Sequence, residues 1–119
     1  MAYADEYPNP VQLFTLPIAA SATSSASAAK LGGLRVVGFL FTGSLAGGSM
    51  TLTASWDGTN YYAVRSIGGS LAAVTATSIG YHGLNSDYQA MLAGVYDLYV
   101  SRAASAAASA SVIVVAQPR

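Results

Sequence analysis

The chain has no cysteine among its 119 residues, which removes disulfides, thiolate metal sites and cysteine nucleophiles and leaves the redox compartment unreadable. Stability has to come from packing. Charge is scarce as well. Asp, Glu, Lys and Arg together make up 8% of the residues and balance to zero, so no basic field exists to neutralise phosphates, and nucleic acid is not an expected partner. The single histidine, His82, is too few for a His-based metal cluster or a two-histidine acid/base pair within one chain. Long apolar runs are missing too: AAASASVIVVA at 106–116 is laced with Ser and shorter than the ~18 residues a membrane span requires. The opening MAYADEYPNP carries acids where a signal peptide needs a basic segment. Neither a membrane partner nor an export signal is expected.

What is present is an apolar, uncharged composition, 53% hydrophobic with net charge zero. Little self-repulsion then opposes association, and the expectation is an assembly subunit rather than a dilute monomer. The length suits one domain that removes about two thirds of its unfolded-state surface from water.

Residues 1–24 read as an extended N-terminal arm. Tyr3, Tyr7, Pro8 and Pro10 lie among short polar residues that can bury no face. VQLFTLPIAA at 11–20 is a short apolar stretch whose Pro17 confines it to a sheet edge or to a place outside the domain. SATSSASAAK at 21–30 is low-complexity Ser and Ala and reads as a linker or loop with nothing large to pack.

The compact domain is expected over 25–119, with its dense part from about Leu31. In SMTLTASW, Met50, Leu52, Ala54 and Trp56 fall on one side and Thr51, Thr53 and Ser55 on the other, the alternation of a half-buried strand. LRVVGFLFTG is apolar on both sides and reads as a central strand with a bulge or close approach at Gly38. GSLAAVTATS, GVYDLYVSR and ASVIVVAQ supply further strands. AASAAASA at 103–110 is Ala-rich but has no large apolar stripe, so it is assigned to a loop or strand end. About six to eight short strands without helical crossovers predict an all-β fold, an antiparallel β-sandwich of jelly-roll type.

TASWDGTNYYAV at 53–64 concentrates the chemistry-bearing residue types. A calcium loop needs alternating oxygen ligands and a distal Glu, which DGTN followed by YYAV does not supply. A sugar platform is better motivated, with Trp56, Tyr61 and Tyr62 stacking on a ring and Asp57 and Asn60 bonding its hydroxyls. A hairpin turn at Asp57-Gly58 explains most of the same residues. In that reading Trp56 continues the buried face into the core, where such a ring contributes about 3 kcal/mol or more.

No G-x-S-x-G elbow accompanies His82, which reads as a loop residue, and Asp87 falls in the polar loop LNSDYQ. Asp57, Asp87 and Asp97 have no spacing that requires a carboxylate pair. Asp97 is expected on the polar side of its strand or paired with Arg35, Arg65 or Arg102. The doublets Gly32-Gly33, Gly47-Gly48 and Gly68-Gly69 lack the Lys and helix of a phosphate loop. No catalytic residue, cofactor or metal is therefore assigned.

The succession LGGLRVVGFLF, LTASWDGTNYYAV, IGG, GVYDLYVSR and SVIVVAQPR resembles small structural proteins of tailed bacteriophages and prophages over about residues 25–119. The resemblance implies a virion β-sandwich that decorates or cements the capsid, assembled in the host cytoplasm and located on the capsid surface. It implies the major capsid protein or other virion subunits as partners, a dimer or trimer as the oligomer, and no enzymatic activity. The arm, with Tyr3, Tyr7, Leu13, Phe14 and Leu16 as contact residues, is expected to engage a neighbouring subunit. A tail or fibre module binding host glycans through Trp56, Tyr61 and Tyr62 is the alternative.

Overall fold

Alternation of large apolar and small polar side chains drives the chain into strands, and in the computed structural model it does so across residues 11–43, 45–66 and 68–118, the residues described here. The strands are β1 Gln12–Ile18, β2 Ala29–Lys30, β3 Arg35–Phe41, β4 Ser49–Ser55, β5 Tyr62–Ala63, β6 Ala73–Thr75, β7 Gly80–Gly83, β8 Asp97–Arg102 and β9 Ala110–Gln117. One helical turn and a half, α1 Ser86–Met91, interrupts them.

Every pairing is antiparallel. β1 pairs with β9, β2 with β8, β3 with β7, and β4 with both β5 and β6. The β3–β9 and β4–β8 ladders then join these pairs into two sheets, ordered β1-β9-β3-β7 and β2-β8-β4-β5, with β6 also on β4. A long antiparallel ribbon rolled up on itself gives this order, and the fold is the expected all-β sandwich with jelly-roll connectivity. β5 and β6 act as one broken strand: the chain leaves β4 after Ala63, closes a small loop through the Arg65–Leu71 bridge, and returns at Ala73.

The core lies between the sheets. Met50, Leu52 and Ala54 of β4 face Phe39 and Phe41 of β3 and Val112, Val114 and Ala116 of β9, all essentially without solvent contact. Each of the larger side chains contributes about 1.5–3 kcal/mol by leaving water. β3 is central, as its two apolar faces predict, and its register slips between Val36 and Gly38. The Tyr81 ring lies over Gly38, where a Cβ would stand 2.5 Å from the Tyr81 hydroxyl. The glycine therefore marks both the bulge and the close approach.

Four expectations need correction. The sandwich begins earlier than residue 25, because Phe14, Leu16 and Ile18 alternate inward and Leu16 and Ile18 reach the core. Pro17 is tolerated because β1 is an edge strand. The Ser/Ala segment is not a free linker: Ser24 bridges Ser101, Ser25 bonds Val100, and β2 pairs with β8, small side chains allowing the close approach. LNSDYQ starts a helix rather than a loop, since the Asn85 side chain accepts the Tyr88 N–H as an N-cap and Asp87 sits in the first turn. His82 lies in β7, with its ring edge-on to Phe41 at 4.9 Å. Alanine-rich 103–109 is a loop leading into β9, as expected.

Candidate functional site

The DGTN turn is built around one carboxylate. Oδ1 of Asp57 accepts from the Ser55 hydroxyl and from the Thr59 and Asn60 backbone N–H groups, each at 2.9 Å, and Oδ2 accepts from the Asn60 side-chain amide at 2.8 Å. The Asn60 and Thr59 backbone N–H groups, then the Asn60 and Ser55 side chains, hold the acid well below the usual carboxylate range. Gly58 completes the turn at φ +78°, a conformation that favours glycine. A carboxylate so fully engaged is a structural keystone of the turn.

The turn also decides where the aromatics point. Ser55 accepts the Gly58 N–H at 2.8 Å, so the chain bends one residue before Trp56. Trp56 is therefore not in the core, as its alternation predicted. Its Nε1 donates to the Ala93 carbonyl at 2.9 Å, and the side chain stays 46% exposed. Tyr96, which the sequence reading did not single out, packs its ring near Gly58 and is also half exposed. Trp56 and Tyr96 thus share one end of the sandwich; their nearness follows from the register one step beyond Ser55–Asp97.

Tyr61 and Tyr62 do not join one platform with Trp56. Tyr61 folds over the outer face of the second sheet, edge-on to Tyr99 at 5.5 Å, and donates to Oδ2 of Asp97 at 2.8 Å. Tyr62 pairs with the inward-facing Ala54 and projects from the opposite face of β5. Asp97 is buried beneath Tyr61, and its partner is Lys30 at 3.2 Å rather than any of the three arginines. Its Oδ1 has no hydrogen-bond partner among the described residues. The bond to Asp97, followed by partial burial, pushes the Tyr61 phenol up to about 12.

Arg102 instead points into the end of the sandwich. Buried, it donates to the carbonyls of Ala22, Ala108, Ala19 and Ala106 at 2.8–3.4 Å. It clamps the 19–22 and 106–108 loops together.

In two concave regions among the described residues, no free titratable side chains converge. A cleft of about 570 Å³ beside Pro17, Ile18 and Ala110 is lined by no titratable side chain. A smaller groove of about 280 Å³ contains His82 and Tyr88, but each is already engaged. Nε2 of His82 meets the Ser78 carbonyl at 3.1 Å, and the Tyr88 hydroxyl donates to the Ala73 carbonyl at 2.7 Å. Among the described residues no three His, Asp or Glu side chains are grouped to hold a metal.

The most distinctive surface is the outer face of the first sheet. Strand alternation turns Leu13 of β1, Ile113 and Val115 of β9, Leu40 of β3 and Tyr81 of β7 to the outer face of the first sheet. Leu13 is 60% exposed and Tyr81 53%, Leu40 and Ile113 are partly exposed, and Val115 is covered. Thr15, Ser111 and Gln117 frame this band, and Arg35, opposite Gln117, is the one charge at its rim among the described residues. Of the expected arm contacts, Leu13 lies in the band, Phe14 packs partly against the core, Leu16 is core, and Tyr3 and Tyr7 lie outside the described residues. No family model, no curated protein and no solved structure matches the chain.

Proposed function

We propose that the chain is a non-enzymatic structural subunit of a phage virion, a decoration or cement protein that binds the head shell. The single observation that carries this reading is the uncharged apolar band on the outside of the first sheet. A sheet with one face packed on the core normally presents polar residues on the other, and a contiguous apolar outer face marks a surface that another protein covers. Zero net charge adds no repulsion to dense packing on a lattice. Jelly rolls serve as shell and as lectin domains alike, so the fold by itself does not choose between them.

Mechanically, each copy bridges shell subunits and buries apolar surface across a boundary that internal pressure would open. Where one copy engages two sites, avidity raises binding by about 10² to 10⁴. The test is imaging of heads produced with and without this chain. Added density over shell-subunit boundaries and greater resistance of the heads to heat are expected; density confined to the tail, or none, refutes the proposal.

A second reading is favoured by one observation, the exposure of Trp56 next to Tyr96. The pair offers two apolar ring faces to a pyranose on a tail or fibre module. Titration of the single Trp fluorescence with host glycans tests it, and unchanged emission removes it.

A further inference from the structure

A β-sandwich exposes four sheet edges, and each is a row of unpaired N–H and C=O groups that can capture another strand. In this molecule three are blunted. β2 has 2 residues, β7 has 4, and the β5/β6 edge is broken by the excursion between Ala63 and Ala73. β1 is different: it has 7 residues and no charged side chain at the edge of the first sheet, and only Pro17, near its end, lacks an N–H.

The direction of the backbone groups follows from Pro17. It sits opposite Ser111, and its carbonyl accepts from the Ala26 N–H at 3.2 Å, away from β9. In an extended strand the N–H and C=O of one residue point to the same side and alternate with those of the next. Leu13 and Thr15, in phase with Pro17, therefore point their backbone groups to the open edge, and Val11 continues the series. Outside the strand ladders, no backbone partner for Val11, Leu13 or Thr15 is found among the described residues. Their neighbours Gln12, Phe14 and Leu16 carry the ladder to β9.

We infer that β1 is a homodimerisation edge, pairing antiparallel with β1 of a second copy across a two-fold axis to make one continuous sheet from two molecules. An antiparallel strand edge is complementary to itself, as an isologous interface requires. With the axis at Leu13, Leu13 faces its own copy and Val11 faces Thr15, so every outward backbone group from 11 to 15 is paired. The side chains agree with this register. Leu13, 60% exposed, meets its own copy on the outer face, Val11, 54% exposed, lies opposite Thr15 of the second copy, and the apolar band extends across both molecules. No Lys or acid on the strand opposes the pairing, and Pro17, a residue type that blunts an edge, lies beyond the 11–15 stretch that pairs. The inference does not depend on the shell reading, since a glycan-binding module would dimerise by the same edge.

The experiment is the mass of the full chain by light scattering, with Thr15→Pro and Leu13→Lys as variants. The wild type is expected at twice the chain mass. Thr15→Pro deletes an outward N–H and leaves the β9 ladder whole, and Leu13→Lys places like charges opposite each other, so both are expected at the single-chain mass. Amide exchange of the wild type guards against a misfolded variant: the Leu13 and Thr15 amides are expected to be protected in the dimer and to lose protection on dilution. A monomeric wild type overturns the inference, including one whose Leu13 and Thr15 amides are protected, which would assign the edge to residues 1–10 of the same chain. A dimer whose mass neither variant changes overturns it as well.

Discussion

Replacing Arg102 by Met tests whether a buried guanidinium that, among the described residues, bonds only backbone carbonyls holds this end of the sandwich together. Met keeps the apolar stem and removes every donor. Of the four carbonyls that Arg102 serves, Ala19 still receives the Ala22 N–H and Ala106 still receives the Ser21 N–H, whereas Ala22 and Ala108 lose the donors seen here. Two hydrogen bonds from a charged donor are worth about 1.5–3 kcal/mol each. Ala108 is exposed and can be rehydrated, which places the expected loss near the low end, about 3 kcal/mol. For a domain of this size that lowers the melting temperature by roughly 10 °C. Lys at the same position restores one point donor and should recover only part of it. Urea unfolding followed by circular dichroism measures both variants. A Met variant as stable as the wild type would show that the cost of burying the charge cancels its bonds, and would refute the clamp.

Further outcomes follow from the second sheet and from Gly38. Because the Asp97 bond raises Tyr61 from 10.0 to about 12, the folded chain holds that proton more tightly than the unfolded one. The bond's contribution is complete below pH 10.0 and is lost as pH rises toward about 12. Tyr61→Phe should lack this component of the alkaline limb, and identical limbs in the two proteins would contradict it. Asp57 has the opposite sign: its depressed pKa stabilises the fold above the ordinary value of 3.8, and that stability disappears as pH falls below it. The gap in urea midpoint between wild type and Asp57→Asn should therefore narrow on acidification; a constant gap argues against the carboxylate as the source. Gly38→Ala forces the Tyr81 ring off β3 and breaks its bond to the Val37 carbonyl. A stability loss of about 1 kcal/mol is expected, with the Tyr81 ring resonances shifted in NMR spectra, and unshifted rings would show that the contact does not constrain the residue.

Period-two alternation in β4, the two-faced apolar β3 and the terminal run of β9 were legible because each pattern records directly which face meets the core. Gly38 and Pro17 were legible for steric reasons, one marking a bulge and the other an edge. Leu16 and Ile18 were not, because an alternation of two inward residues beside a proline resembles an arm until β9 supplies the partner. The Ser/Ala stretch before β2 was obscured in the same way, since small side chains carry little periodic signal even where the backbone pairs. Trp56 was misplaced because the turn starts at the Ser55 hydroxyl, one residue before the apolar pattern ends. Tyr96 owes its place beside that turn to a register more than 40 residues away in sequence, Ser55 against Asp97. The N-cap of α1 did have a local signature, Asn85 followed by Asp87 in the first turn, but six residues carry too little helical period to display it.

The position of β9 between β1 and β3 sets the order in which the molecule can be completed. As the polypeptide leaves the ribosome, β1 has no neighbour in its own layer among the described residues until residues 110–117 emerge, and during that interval its apolar side chains remain unmatched. Closure must therefore await β9, and a stop codon upstream of it would strand β1 apart from β3 and leave both open to aggregation.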